Sequence, residues 1–402
     1  MHVLQLSWEF PPHLVGGMGR HVAELAPALA AAGLRVSIVT PQLRGGPDAE
    51  QLAPGLNVYR IPMEYAPGAD YPHFVALCNR ELERAALSLQ GSLGRFDLIH
   101  THDWLTAEAA ARLKHLWQIP LIATIHATER GRGRGSLNGR AAQQINDQEW
   151  LLTYEAWRII VCSQFMLGEV TDSFHTPSDK IDVLPNGVTL TPDPFANCHD
   201  EERRIFRRRF LPDDAYLVFY VGRIVAEKGL QILIEAWPQI MAGANAHLLI
   251  AGTGGYRDAL QSQAEAMGLY DVIHFAGFMS DEERDKIYRV ADVAVFPSVY
   301  EPFGIVALEA SAAGCPLVVS DAGGLAEVVR HGETGMIAAA GDPFALAAAV
   351  LDCLHEPEQA QMRAAAAFAE VQRAYTWDII AADTIQIYVR VLAEWQAGNW
   401  GK

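Results

Sequence analysis

Residues 291–310 read ADVAVFPSVYEPFGIVALEA. An apolar run closes on Pro297, a Pro-Phe-Gly turn follows at 302–304, and the chain then enters an apolar segment that reads as a helix. This is strand, turn, helix, the form a buried parallel strand takes where it hands over to a crossover helix. Two carboxylates flank the turn, Glu301 before it and Glu309 on the helix. A solvated loop acid and a helix-face acid are the ordinary origin of such a pair. The alternative is a pocket for a polyhydroxylated, phosphorylated ligand. One carboxylate would take sugar hydroxyls and the other a ribose, with free backbone N–H groups at the helix start between them.

The same alternation extends in both directions. AYLVFYVGR (215–223), AHLLIAGTG (246–254), DVIHFAGF (271–278) and CPLVVSD (315–321) read as buried strands between helical segments. Upstream lie HVLQL (2–6), RVSIVT (35–40), FDLIHTHD (96–103), PLIATIH (120–126), RIIVCS (158–163) and KIDVLPNGV (180–188). The helical stretch AELAPALAAAG (23–33) stops at Gly33, a residue suited to the left-handed position past a helix end. Strands separated by helices imply doubly wound parallel sheets, here in two Rossmann-like halves. Turn residues in PNGVTLTPDPF (185–195) mark the junction. The expected division is 1–190 and 191–375. A long amphipathic helix over 376–402 either caps the second domain or crosses back onto the first.

Composition excludes several classes. A chain of 402 residues exceeds one ordinary core. With half its residues apolar and 20% charged it is not disordered. A formal net charge of −17 argues against nucleic acid or anionic lipid as a partner. Cys78, Cys162, Cys198, Cys315 and Cys353 are scattered and never spaced C-x-x-C, so neither a disulfide framework nor a zinc site is indicated and a cytoplasmic setting is expected. The start, MHVLQLSWEFPP, has no basic leader, and no apolar stretch approaches the ~20 residues that a membrane span needs.

Polar residues collect at strand ends, where ligands bind in open α/β sheets. Gly16 and Gly17 open a helix after the first strand's loop, so their backbone can approach a phosphate. The segment GGMGRH lacks the G-x-G-x-x-G spacing, which tells against an NAD(P) oxidoreductase. His102, Asp103 and His126 end two strands. Arg223 and Lys228 share the loop VGRIVAEKG (221–229), where two cations would stabilise a departing diphosphate. The cluster RRIFRRRF (203–210) reads as a solvated helix face. Arg130, Arg132 and Arg134 in ERGRGRG (129–135) lie on a glycine-interleaved segment just past His126, read as a mobile loop that is either a substrate lid or plain surface.

In the order and company of these residues, the chain resembles family 4 of the retaining glycosyltransferases. The resemblance rests on VGG (15–17), HDW (102–104), TIH (124–126), PNGV (185–188), VGRIVAEKG, AGTG (251–254), FPSVYEPFGIVALEA (296–310) and VVSDAGGLAEVV (318–329), in family order over nearly the whole chain. The opening WEFPPHLVGGMGRHV and the HDW element look most like glycogen-synthase-like members. The resemblance implies the α/β GT-B fold, two Rossmann-like doubly wound parallel-sheet domains facing across a cleft. It also implies roles. Glu301 would hold donor-sugar hydroxyls, and Glu309 the ribose. Backbone N–H groups of Phe303, Gly304, Ile305 and Gly17 would hold the diphosphate, which Arg223 and Lys228 neutralise. His126 would lie close to the donor sugar. Gly252, Gly254 and Phe278 would border the nucleobase. Glu9 and Asp103, with Arg130 on the basic segment, are the acceptor-side candidates.

The family implies no cofactor beyond the nucleotide-diphospho-sugar as co-substrate, and no metal. The expected activity is transfer of a hexose, glucose foremost, to a sugar or α-glucan acceptor. The alternatives are a lipid-linked or phosphorylated small-molecule acceptor, a Rossmann-type oxidoreductase, and an inactive sugar-nucleotide-binding module. The base (ADP, UDP or GDP), the linkage and the oligomeric state are left open.

Overall fold

A computed structural model describes residues 1–63, 70–196 and 200–398, which leaves Cys198 outside. The chain forms two compact units, Met1–Gly187 with Trp377–Lys402, and Val188–Thr376. Cys78, Cys162, Cys315 and Cys353 are free and buried.

The first unit is built on eight strands: β1 (His2–Leu6), β2 (Arg35–Gln42), β3 (Ala49–Ala53), β4 (Leu56–Pro62), β5 (Leu98–His102), β6 (Leu121–Ile125), β7 (Arg158–Val161) and β8 (Ile181–Val183). Their order is β3-β4-β2-β1-β5-β6-β7-β8, parallel throughout except for β3 against β4. Residues 49–62 add a strand pair that hydrophobic patterning does not single out. AEQLA has no β-branched residue and lies largely exposed at the sheet edge, and LNVYRIP alternates buried and half-buried positions. The inner strands β1, β5 and β6 are buried at every position, as parallel strands covered on both faces must be.

The helix Gly17–Ala31 follows β1. Past it Gly33 has φ +95°, and the N–H of Leu34 returns to the Leu29 carbonyl (3.2 Å), closing the helix end. The C-terminal helix Trp377–Ala397 crosses back to this unit. Ile380, Tyr388 and Val391 are fully buried with Val22, Leu25 and Leu29, and each such aliphatic side chain is worth about 1.5–3 kcal/mol relative to exposure. Polar ties fix its register. The Tyr388 hydroxyl bonds His100 Nδ1 (2.6 Å), Glu394 accepts from Trp157 Nε1 (2.9 Å) and Arg158 (2.9 Å), and Trp377 Nε1 donates to Glu24.

The second unit carries six parallel strands: β9 (Tyr216–Val221), β10 (Ala246–Ala251), β11 (Ile273–Gly277), β12 (Val293–Phe296), β13 (Leu317–Ser320) and β14 (Met336–Ala338), ordered β11-β10-β9-β12-β13-β14. In each sheet the chain builds outward on one side and then returns to the other side of its first strand. The switch points fall between β1 and β5 and between β9 and β12. Loops leaving neighbouring strands diverge there and open a crevice beyond the carboxyl ends.

Candidate functional site

At the β9/β12 switch point the loop 222–229 meets the turn 297–304. The Glu227 carbonyl accepts the N–H groups of Val299 (2.9 Å) and Tyr300 (3.3 Å), which ties the two segments together. Lys228 thereby reaches Glu301, with Nζ to Oε2 at 2.5 Å, and the Ser298 hydroxyl donates to the same oxygen at 3.2 Å. Glu301 is 8% exposed, so the ion pair is largely shielded from solvent. Arg223 lies on the same loop but more exposed, and pairs with Glu227 at 3.3 Å. Beneath it, burial first and the Glu301 charge second push the Tyr220 hydroxyl far above its ordinary range. Held neutral, it donates to the Arg223 carbonyl (3.1 Å).

Glycine makes this close approach possible. Gly229 has φ +72°, and a Cβ there would lie 1.8 Å from the Pro297 carbonyl oxygen. Gly252, with φ +132°, would place a Cβ 1.8 Å from the Gly222 carbonyl oxygen. No other residue fits either position. Gly252 N–H donates to the Gly277 carbonyl (2.7 Å), so the loops after β9, β10 and β11 are stitched edge to edge, with Gly254 and the 83%-exposed Phe278 on them.

Gly304 (φ +103°) ends the turn and caps the helix Ile305–Ala312 without a side-chain hydrogen bond. Within its first turn the Ala307 N–H returns to the Gly304 carbonyl (2.9 Å), while the N–H groups of Ile305 and Val306 have no carbonyl behind them in the helix. Glu301 stands in the turn before this helix, and Glu309 inside it has a different partner. Glu309 is buried with Oε1 3.3 Å from Arg284, which Asp281 and Asp285 also hold at 2.8 Å. Burial works against the Arg284 charge, but these three acids hold its proton more firmly than in water. Arg284 lies in the acidic run DEERDKIYRV, where nothing in the local spacing singles it out as the buried partner of Glu309.

In the first unit the β1 loop is organised by Glu9. Its Oε2 accepts the N–H groups of Val15 (2.7 Å) and Gly16 (3.0 Å). A Cβ at Gly19 would come within 2.6 Å of that oxygen. Glu9, named above on the acceptor side, thus braces the glycine loop, and the Gly16 N–H is engaged by its carboxylate. Gly17 opens its helix with no side-chain cap.

Asp103, with φ +56°, follows β5 and accepts the His126 N–H at 2.7 Å. Burial lifts its carboxyl to about 6, against the pull of Arg132 and of the His126 and Ala127 N–H groups. His126 Nε2 lies 3.2 Å from His102 Nδ1, and His21 bonds Asn186 Oδ1 at 2.7 Å. Burial drives His126 and His21 down to about 3, so both are neutral. The three rings lie tilted, edge to face or stacked in pairs, with centroids 4.8–5.5 Å apart. Their ring nitrogens fall within 4.8 Å of one another. That arrangement is invisible in spacing, and its closest pair, His102 and His126, comes about as near as the roughly 3.4 Å between two nitrogens on one tetrahedral zinc.

The segment read as a mobile loop is compactly folded. Residues Glu129–Arg132 form a helical turn capped by Thr128, and Gly133 packs so tightly that a Cβ would lie 2.0 Å from the Ser136 carbonyl oxygen. Arg130 reaches Asn146 Oδ1 at 3.4 Å. Buried Glu149 accepts the Glu129 N–H at 2.8 Å, and burial raises its carboxyl to about 8. Of the basic cluster after the junction, Arg203, Arg207, Arg208 and Arg209 are each paired with acids, as a solvated face would be.

Residues 15–191 match the family described as Glycosyltransferase Family 4, and residues 201–369 the family described as Glycosyl transferases group 1. An uncharacterized glycosyltransferase of Methanocaldococcus jannaschii is 38% identical, over 96% of this chain and 98% of its own. A glycogen synthase of Mycobacterium tuberculosis is also 38% identical, over 97% and 94%. Among solved structures, sucrose-phosphate synthase from Thermosynechococcus elongatus superposes with a TM-score of 0.81 at 26% identity, covering 98% of this chain and all of that one.

Proposed function

This chain belongs to glycosyltransferase family 4, and from that premise we propose that it is a retaining hexosyltransferase moving glucose from a nucleotide-diphospho-sugar to a sugar or α-glucan acceptor. The similarity to a glycogen synthase over nearly the whole chain supports the glucan acceptor. The observation that carries the donor side is the 2.5 Å Lys228–Glu301 pair beside the uncapped start of the helix Ile305–Ala312. A carboxylate for hydroxyls, two cations and free N–H groups within one switch-point crevice suit a sugar linked to a diphosphate.

In the proposed reaction the bond from the sugar's anomeric carbon to the phosphate oxygen breaks. The nucleoside diphosphate leaves with the electron pair. Lys228, Arg223 and the N–H groups of the Phe303–Ile305 turn take up the growing negative charge. The acceptor hydroxyl attacks on the face the leaving group vacates, and its proton passes to a departing phosphate oxygen. Glu301 holds the donor hydroxyls and steadies positive charge at the anomeric carbon. Glu309 is assigned to the ribose, Gly252, Gly254 and Phe278 to the base, and His126 and Asp103 to the sugars. With two cations on one loop, the proposal needs neither metal nor further cofactor. Four free thiols suit a reducing compartment, and the proposal places the enzyme in the cytoplasm. Among the described residues no helix is long and apolar enough to cross a membrane.

The test is turnover with a panel of nucleotide sugars, using maltooligosaccharides and sugar phosphates as acceptors. Glu301→Ala and Lys228→Ala should each lower kcat about 10²–10³-fold with a retained cooperative melt. Near-native rates in either would refute the assigned roles. EDTA should leave the rate unchanged. A loss restored by Mg²⁺ or Mn²⁺ would contradict the metal-free mechanism.

A further inference from the structure

The helix Gly139–Glu155 of the first unit presents a surface that the transfer chemistry does not use. Arg140, Gln144, Asp147, Trp150 and Tyr154 follow one another at steps of four, three, three and four residues, so they form one stripe along the helix. A cavity of about 410 Å³ lies against the N-terminal half of that stripe, beside Trp104, which follows Asp103 past the end of β5.

Side-chain chemistry selects the ligand. Three carboxylates line the cavity, Asp70, Glu108 and Asp147, against the guanidinium of Arg140 and the imidazole of His73. Glu108 has its own partner outside the lining, Arg112 at 3.2 Å. Such a wall disfavours a phosphate dianion and suits hydroxyl groups, which donate to carboxylates. Gln144 and Gln148 add amides that both donate and accept, and Gln148 Oε1 is buried without a hydrogen-bond partner. Further along the helix the stripe turns aromatic. Trp150 and Tyr154 stack at 5.4 Å with a 16° interplanar angle, yet they are 49% and 67% exposed. A stacked aromatic pair left open to water next to a hydroxyl-binding cavity fits the flat C–H face of a pyranose ring. From Asp147 to Tyr154 the helix rises roughly 10 Å, more than one sugar ring.

We propose that this stripe is a binding track for a neutral oligosaccharide chain. The cavity takes hydroxyls of one residue, and Trp150 with Tyr154 supports the next ones. The inference rests on the glycosyltransferase reading, since the chain it holds is the glucan acceptor, and it excludes a phosphorylated sugar as the preferred occupant of this cavity.

The test is calorimetric titration of the full-length protein with maltoheptaose and with glucose 6-phosphate, beside the Trp150→Ala/Tyr154→Ala variant. A melting-temperature shift with ADP-glucose and UDP-glucose serves as an independent reading of the donor side. Maltoheptaose should bind the wild type, and the variant should bind at least tenfold more weakly while melting at the wild-type temperature. Equal affinity in wild type and variant overturns the track, and so does tighter binding of glucose 6-phosphate than of maltoheptaose. If maltoheptaose fails to bind while a nucleotide sugar still raises the melting temperature, the track falls and the transferase reading stands. Failure of both ligands removes the two together.

Discussion

Glu149 is a carboxyl group 1% exposed, with one oxygen on the Glu129 N–H and the other buried without a partner. Desolvation favours its neutral form and raises its pKa to about 8. In the unfolded chain the same group ionises near 4.5. Between those values the native state binds the extra proton, so stability falls as pH rises through the window, by on the order of a few kcal/mol. The buried histidines act with the opposite sign and lower down. His21 and His126 stay neutral to about 3 in the fold, so protonation of the unfolded chain below 6.5 favours unfolding. Glu149→Gln should therefore flatten the decline in Tm from pH 5 to 8 while leaving the acid limb as it is. A variant curve parallel to the wild type would remove Glu149 as the cause.

At the scale of elements, the loops that leave β9 and β12 depend on a few backbone positions. Gly229→Ala must move the Pro297 carbonyl and strain a backbone at φ +72°, so a stability loss of at least about 2–3 kcal/mol in chemical denaturation is expected, with lost turnover because Lys228 is displaced. A Gly229→Ala variant as stable as the parent would show that the loop relaxes freely. These elements were also the readable part of the sequence. Runs such as LLIA and IIV are buried on both faces, so hydrophobicity alone marks them as parallel strands, and each strand end then exposes its ligand-facing residues. Partners were not readable. Lys228 and Glu301 meet across 73 residues, and His21 lies 81 residues from His102, distances on which local spacing carries no information. Nothing in the neighbourhood of Glu9 says that its carboxylate would fold back on the N–H groups of Val15 and Gly16. The ERGRGRG segment misled through its glycines, which serve tight turns there as well as freedom.

The whole molecule is joined by two chain crossings, one at Gly187–Val188 and one at Thr376–Trp377. Each unit seals its side. Val188 N–H bonds the Tyr375 carbonyl (2.8 Å) in the second unit, and Gly187 packs so closely on Trp377 in the first that a Cβ would lie 2.6 Å from the indole. A chain ending at Thr376 should lack cooperative melting in the first unit, because Trp377, Ile380, Tyr388 and Val391 would be missing from its core. The second unit should keep its protection from hydrogen exchange. Native-like near-UV circular dichroism and one sharp transition in the shortened chain would contradict this.

That last helix also sets the order of events at the ribosome. Residues 1–187 emerge first, yet the piece that completes their core is separated from them by the entire second unit, Val188–Thr376. At roughly 5–20 residues per second, the early half waits on the order of 10–40 s with an open apolar groove along Val22, Leu25 and Leu29. The half synthesised second is thus the first that can finish folding, and the nascent first half is the stretch most in need of chaperone cover.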